Sequence, residues 1–192
     1  MRLIITRHGE TEENARHICQ GQTPGTLSAR GINEAHRLGE ALKSEKIAHC
    51  FCSDQKRAAD TAEIALSHRI GEPVPLTFDD RLRERYFGSF EGKVFPPFSD
   101  EVIPLEEVET AAQIAVRLRS FLADVVTKFR DEETVLIVSH GFTLRVLLAL
   151  LRGENPVEIT DIRTPDNCSI TEVECTNGGT YRFLRTNDRS HL

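Results

Sequence analysis

Three short stretches set chemically capable side chains directly after apolar runs. Arg7-His8-Gly9-Glu10-Thr11 follows Leu3-Ile4-Ile5, Ser53-Asp54 with Arg57 a turn later follows Ile47 to Cys52, and Ser139-His140-Gly141 follows Val135 to Val138. A neutral imidazole is a nucleophile or a base, and a guanidinium binds oxyanions through a rigid fork of donors. Two histidines and two arginines brought together would therefore do chemistry on an anion. Arg57 is the most telling. If Ser53 or Asp54 caps the helix that follows, Arg57 lies in its first turn, where the macrodipole disfavours a cation. A bound anion would remove that conflict and could use the helix N–H groups as well. The alternatives are an exposed Arg57 paired with Asp54 or Asp60 and two hydrogen-bonded structural histidines. Convergence at three sites favours function over either.

The elements that must position these residues follow an α/β rhythm. Leu3-Ile4-Ile5 predicts a buried strand ending at Thr6-Arg7. Residues 28–44 predict a helix with Ile32, Ala35, Leu38 and Leu42 on one face, Ser28 as N-cap and Leu27 with Ile32 as a staple. A second strand over 47–52 and a second helix over 56–69 come next, then a Pro-bearing extended segment at 73–78 suited to a sheet edge. Residues 110–129 predict a helix with Ala111, Ile114, Ala115, Leu118, Leu122, Val125, Val126 and Phe129 inward. Val135 to Val138 predicts a central covered strand and 142–152 a buried helix. Residues 168–175 and 180–185 predict a closing hairpin across Asn177-Gly178-Gly179. Residues 85–109 lack either period. They carry Phe87, Phe90, Phe95, Phe98 and Pro96-Pro97, and read as a lid-like excursion from a single domain spanning 1–192. In such sheets, ligands gather at the carboxyl ends of the strands, where all three stretches fall.

Composition narrows the partner. The 24 Lys and Arg are outnumbered by 30 Asp and Glu, a net charge of -6, which argues against nucleic acid. No apolar run reaches membrane-spanning length, and the N-terminus lacks the pattern of a signal peptide, so a cytoplasmic protein is expected. The five cysteines show no paired spacing. Cys50 and Cys52 read as buried, inert thiols; Cys19 lies near the candidate residues, but nothing beside it in sequence would depress its pKa.

The motifs extend beyond the strand ends. Leu3 through Thr11 with Asn14, then Gln20-Gly21, Leu27-Ser28 and Gly31, then Ser53-Asp54-Gln55-Lys56-Arg57-Ala58 with Thr61, then Leu82-Arg83-Glu84 leading to Gly88 and Phe90-Glu91-Gly92, and finally Val138-Ser139-His140-Gly141 stand in order over about residues 2–150. In that order they resemble the histidine phosphatase superfamily, also called phosphoglycerate-mutase-like. The resemblance implies a three-layer α/β/α sandwich with a central, mostly parallel sheet. It implies a phosphohistidine mechanism on a small phosphorylated metabolite, releasing inorganic phosphate, with no cofactor and no metal. His8 would attack phosphorus, Arg7, Arg57 and His140 would hold the phosphoryl oxygens, and Glu84 would protonate the leaving alcohol and later activate water. Asn14, Gln20, Gly21, Arg85, Tyr86 and Gly141 would complete substrate binding.

The superfamily contains phosphatases and mutases on one catalytic set. The excursion offers only Arg85 and Lys93 as bases among many acids, a poor host for a second phosphate or a carboxylate. The Gln20-Gly21 pair is similar to the compact phosphatase branch, so a histidine acid-type phosphatase (a phosphoric monoester hydrolase) is expected, with mutase-type transfer as the alternative. A retired, purely phosphate-binding site would lose the nucleophile or the acid, and both are present. Gly25 stands where many members have Asp, which bears on loop conformation and leaving-group contacts. Phenylalanines in the excursion would serve either an apolar leaving group, such as the nucleoside-like phosphates of α-ribazole phosphatases, or the packing of the loop itself. The edge near 73–78 or the final hairpin could support a homodimer.

Overall fold

Apolar runs become strands and amphipathic stretches become helices, in the order β1 (Arg2–Arg7), α1 (Glu12–Ala15), α2 (Ala29–Leu42), β2 (Ile47–Cys52), α3 (Lys56–Leu66), β3 (Leu76–Phe78), α4 (Ala111–Lys128), β4 (Thr134–Ser139), α5 (Gly141–Arg152), β5 (Ile170–Cys175) and β6 (Tyr181–Asp188). The computed structural model describes residues 1–94, 105–158, 162–176 and 180–192. Much of the expected excursion, residues 95–104, and the Asn177-Gly178-Gly179 turn lie outside the described residues.

Among the described residues, one sheet takes all six strands in the order β3-β2-β4-β1-β5-β6. β1, β4, β2 and β3 are parallel, and β5 and β6 add an antiparallel pair beside β1. Register decides where the chemistry falls: Arg7 pairs with Ser139, and Cys52 with Val138. Three parallel strands thus end level and hand His8, Ser53 and His140 to one edge. Cys50 and Leu136 alternate with Phe51 and Ile137, so each face of the sheet meets its own helix pair. Leu3, Ile5, Phe51, Val135 and Ile137 pack against α4 and α5, whereas Ile4, Cys50, Cys52, Leu136 and Val138 pack against α2 and α3. The result is the expected α/β/α sandwich, with β3 at the expected edge. Among the described residues, no helix is long and apolar enough to cross a membrane.

Local chemistry sets the helix ends. Ser28 caps α2 through its hydroxyl on the Gly31 N–H (3.0 Å). Thr110 and Gln113 form a reciprocal capping box on α4. α3 stops at Leu66, three residues short of the expected end, with the Ser67 hydroxyl turned back on the Ile64 carbonyl (2.7 Å).

Two expected core positions are corrected. Ile32 is 42% exposed, because the buried stripe of α2 runs through Gly31, Glu34, Ala35, Leu38, Gly39 and Leu42, a quarter-turn away. Val126 is likewise exposed, while Phe121 takes the inward position on α4. Polar and glycine positions carry part of the buried stripe on α2, so an apolar pattern misplaces its centre. Glu34 is there for the loop after β1: its carboxylate accepts from the Glu10 N–H (2.9 Å). Gly9 and Gly31 let that loop touch α2, since a Cβ on Gly9 would sit 2.5 Å from the Gly31 carbonyl oxygen.

Candidate active site

At the carboxyl edge of β1, β2 and β4 lies a cavity of about 680 Å³, walled by Arg7, His8, Asn14, Gln20, Gly21, Arg57, Glu84, Arg85 and Gly141 among others. Nine of the expected site residues therefore meet in one place. His140 is fully buried behind the wall, its ring centroid 5.1 Å from that of His8. Tyr86 does not join them; it is exposed in a separate depression with Gln22 and Glu107.

His8 has an unambiguous tautomer. Its Nδ1 lies 2.7 Å from the Gly9 carbonyl oxygen, which can only accept, so Nδ1 carries the proton. On the other side of the ring, Arg57 Nε–H donates to Nε2 (3.3 Å), so Nε2 holds a lone pair. Burial, reinforced by the Arg57 and Arg7 charges, holds the imidazole pKa well below its ordinary value. Backbone bonds fix the loop: His8 N–H to Ser139 O (3.0 Å), Asn167 Nδ2 to His8 O (2.8 Å) and Gly9 N–H to Thr61 Oγ1 (3.0 Å).

Arg57 is buried, which removes the exposed-pair alternative. Asp54 is engaged with Arg83 and Asp60 with Lys56. The α3 N-cap is Gln55, with no side-chain cap bond, and not Ser53 or Asp54; the helix begins one residue later than an Asp54 cap and two later than a Ser53 cap would place it. Arg57 still sits in the first turn. Its Nη2 donates to Gly21 O (2.7 Å) and its Nη1 to Thr23 O (3.0 Å), carbonyls that hold it where the macrodipole would not. Burial nonetheless pulls its pKa down to about 10, so it remains a cation. Gly21 presents that carbonyl from a left-handed conformation (φ 51°), tight against Glu91, where a side chain would collide.

Arg7 donates through Nη1 to Pro165 O (3.0 Å), and its Nε is buried without a partner among the described residues. A Cβ at Gly141 would sit 2.9 Å from Thr164 Cγ2, so the bare helix start leaves room beside the guanidinium. His140 Nε2 lies 2.8 Å from Ser53 Oγ, while its Nδ1 lacks a partner among the described residues. Burial and the neighbouring Arg57 push its pKa far down as well, so His140 is a neutral hydrogen-bonding group here. Positive charge comes instead from arginines: Arg7, Arg57, Arg85 and Arg145 all line the cavity.

Glu84 is not paired with Arg81, Arg83 or Arg85. Its carboxylate accepts from the N–H groups of Phe142 (3.1 Å) and Thr143 (3.1 Å), at the start of α5, and of Arg85 (2.8 Å). Arg85 Nε donates to Glu109 O (2.7 Å), and its guanidinium lies over the rings of Phe142 (4.5 Å) and Phe87 (5.1 Å). The phenylalanines divide their duties: Phe87 lines the cavity, and Phe90 packs against Cys19, Phe87 and Val108. The Cys19 thiol, buried beside Glu91 and Glu84, is pushed up to about 12 and is inert, as are Cys50 and Cys52. Among the described residues, no group of three or more His, Cys, Asp and Glu could hold a metal ion.

Sequence reading misses several wall residues: Arg145, Phe142, Thr164, Asn167, His17 and Ile18. Arg145 carries a signal, lying one turn after Gly141 on the same helix face. The others come mostly from irregular segments with no period to read. Gln55 is legible only as one member of a motif, yet its amide joins two loops of the site.

Residues 3–189 match the family model of the histidine phosphatase superfamily (branch 1), and the chain belongs to that superfamily. A protein of Hydrogenobacter thermophilus, provisionally named phosphoserine phosphatase 2, is 34% identical over 90% of this chain and 88% of its own. Phosphoglycerate mutase 1 of Saccharomyces cerevisiae is 30% identical over 85% of this chain and 83% of its own. The solved structure of YhfR from Bacillus stearothermophilus superposes with a TM-score of 0.86 at 29% identity, covering 99% of this chain and 98% of that one.

Proposed function

We propose that the chain is a metal-independent phosphomonoesterase acting through a phosphohistidine on a small phosphorylated metabolite. The observation that carries this reading is the His8 tautomer: Nδ1–H tied to the Gly9 carbonyl, Nε2 unprotonated in a cavity lined by arginines. A phosphoryl group seated between Arg7 and Arg57 would meet Nε2 as nucleophile. As the N–P bond forms, the P–O bond to the alcohol breaks, and Glu84 passes a proton to the departing oxygen. Water then attacks phosphorus, gives its proton to Glu84, and inorganic phosphate leaves with His8 restored. Arg7, Arg57, the Asn14 amide and Nδ1 of His140 would stabilise the equatorial oxygens, the dominant requirement of phosphoryl transfer. The single six-stranded sheet supports treating residues 1–192 as one catalytic domain.

Phosphoglycerate mutase-type transfer is the second reading. It is favoured by Arg85 and Arg145 in the cavity wall and by the likeness to a mutase, but Lys93, the other base of the excursion, is exposed over Phe90 and does not line the cavity. Phosphate release from a panel of phosphomonoesters in excess EDTA, with wild type and His8→Ala in parallel, tests both. Turnover that survives EDTA and falls by at least about 10⁴-fold in His8→Ala is expected. Dependence on added metal, or turnover by His8→Ala close to wild type, would overturn the proposal; efficient phosphoglycerate interconversion would favour the mutase.

A further inference from the structure

The side-chain amide of Gln55 lies behind the cavity wall and bonds the main chain of two residues that line it, Gly21 and Glu84. Gln55 is the N-cap residue of α3 but makes no side-chain cap bond, and at 8% exposure its amide is buried. Its Nε2 donates to the Gly21 carbonyl (3.0 Å), the same oxygen that accepts from Arg57 Nη2 (2.7 Å). Its Oε1 accepts from the Glu84 N–H (2.7 Å). The other side of the same residue is held in kind: Gln22 Nε2 donates to the Glu84 carbonyl (3.1 Å). Gln22 is in turn fixed by its own N–H on Glu91 Oε1 (2.9 Å), which also accepts from the Phe87 N–H (3.0 Å). Glu84 belongs to no regular helix or strand, so no ladder of hydrogen bonds fixes its backbone. A carboxamide sets an NH2 donor and a carbonyl acceptor side by side in one plane, and here each end bonds a different loop.

We propose that Gln55 is a positioning residue: its amide sets the distance between the Gly21 loop that holds Arg57 and the Glu84 backbone, with Gln22 as the second tie. Gln55 touches neither the phosphoryl group nor the leaving oxygen and acts through Glu84. This rests on the reading of Glu84 as the proton donor given above. A leaving oxygen of high basicity needs that proton, whereas p-nitrophenolate leaves with little help. A displaced Glu84 therefore penalises an alkyl phosphate far more than an aryl phosphate, while general damage to the site penalises both alike.

The test compares kcat/KM for glycerol phosphate and for p-nitrophenyl phosphate in wild type, Gln55→Leu, Gln22→Ala and Glu84→Gln. Leu fills the space without either hydrogen bond. In Gln55→Leu the aryl-to-alkyl ratio is expected to rise on the order of tenfold, with a smaller rise in Gln22→Ala and the largest in Glu84→Gln. A ratio unchanged in Gln55→Leu while Glu84→Gln raises it would overturn the positioning role. If Gln55→Leu does not fold, an unchanged ratio in Gln22→Ala overturns the amide clamp in its place. A flat ratio in Glu84→Gln itself would instead remove the proton-donor assignment on which the inference rests.

Discussion

The phosphate end of the cavity and its leaving-group end are held by different means. His8, Arg57, Arg7 and His140 come from level strand ends and the helix starts beside them, and main-chain carbonyls of Gly9, Gly21, Thr23 and Pro165 fix three of them. Glu84, Arg85 and Phe87 come from an irregular stretch whose backbone is tied by side chains: Gln55 and Gln22 hold Glu84, Glu109 holds the intervening Tyr86, and Glu91 holds Phe87. A site held by main chain tolerates few changes of shape, because the sheet would have to move with it. A site held by side chains can be retuned one residue at a time. Such a division suits a superfamily that includes both phosphatases and mutases.

The largest expected effect that sharpens this contrast is at the phosphate end. Arg57→Ala should lower kcat/KM by about 10² to 10³ for every phosphomonoester alike, since the charge it removes faces the common group. Steady-state kinetics on three chemically unrelated esters would check this; a loss confined to one of them would break the division.

The buried imidazoles give a pH signature next in size. His8 and His140 both have folded-state pKa values held below 6.5, their ordinary value, by burial and arginines. Below pH 6.5 the unfolded chain takes up these protons and the folded chain does not, so stability is lost as pH falls. The slope should approach about 1.4 kcal/mol per pH unit for each histidine, readable from urea melts between pH 7 and pH 5. The acid limb of kcat/KM assigned to His8 should likewise lie below pH 6.5. A limb at or above 6.5, or stability flat across that range, would contradict the buried neutral pair.

The smallest effect belongs to the leaving-group end. Phe142→Leu removes the ring against Arg85 (4.5 Å) and should change KM by roughly two- to fivefold, with kcat nearly constant. The change should also differ from ester to ester, unlike that of Arg57→Ala. Equal shifts for all esters would place Phe142 with the phosphate end instead.

How much is legible in the sequence follows the same division. His8, Arg57 and His140 can be placed because apolar runs predict strands, and parallel strands of one sheet end together. Arg57 even carries its own warning as a cation in a first turn, although the cap is Gln55. Asn14, Gln20 and Gly21 are found through motifs, and the structure brings them to the cavity, whereas Tyr86 faces solvent elsewhere. The ties made by Gln55, Gln22 and Glu91 have no readable signal, since each joins loops about 30 to 70 residues apart in the chain. The cationic nature of the site is legible through Arg7, Arg57 and Arg85, whereas His140 is neutral and Arg145 adds a charge that the motifs do not mark. Exposure of Ile32 and Val126 shows the limit of periodicity where buried glycine and glutamate share the inward stripe.

The central claim is covalent chemistry at His8 Nε2. A single turnover with ³²P-labelled p-nitrophenyl phosphate in EDTA, quenched in alkaline detergent on the millisecond scale, tests it most directly. The expected result is transient label on the protein that survives base, is lost in acid, maps to His8 and is absent in His8→Ala. Full turnover with no labelled protein at any time, or label that persists in His8→Ala, would contradict it.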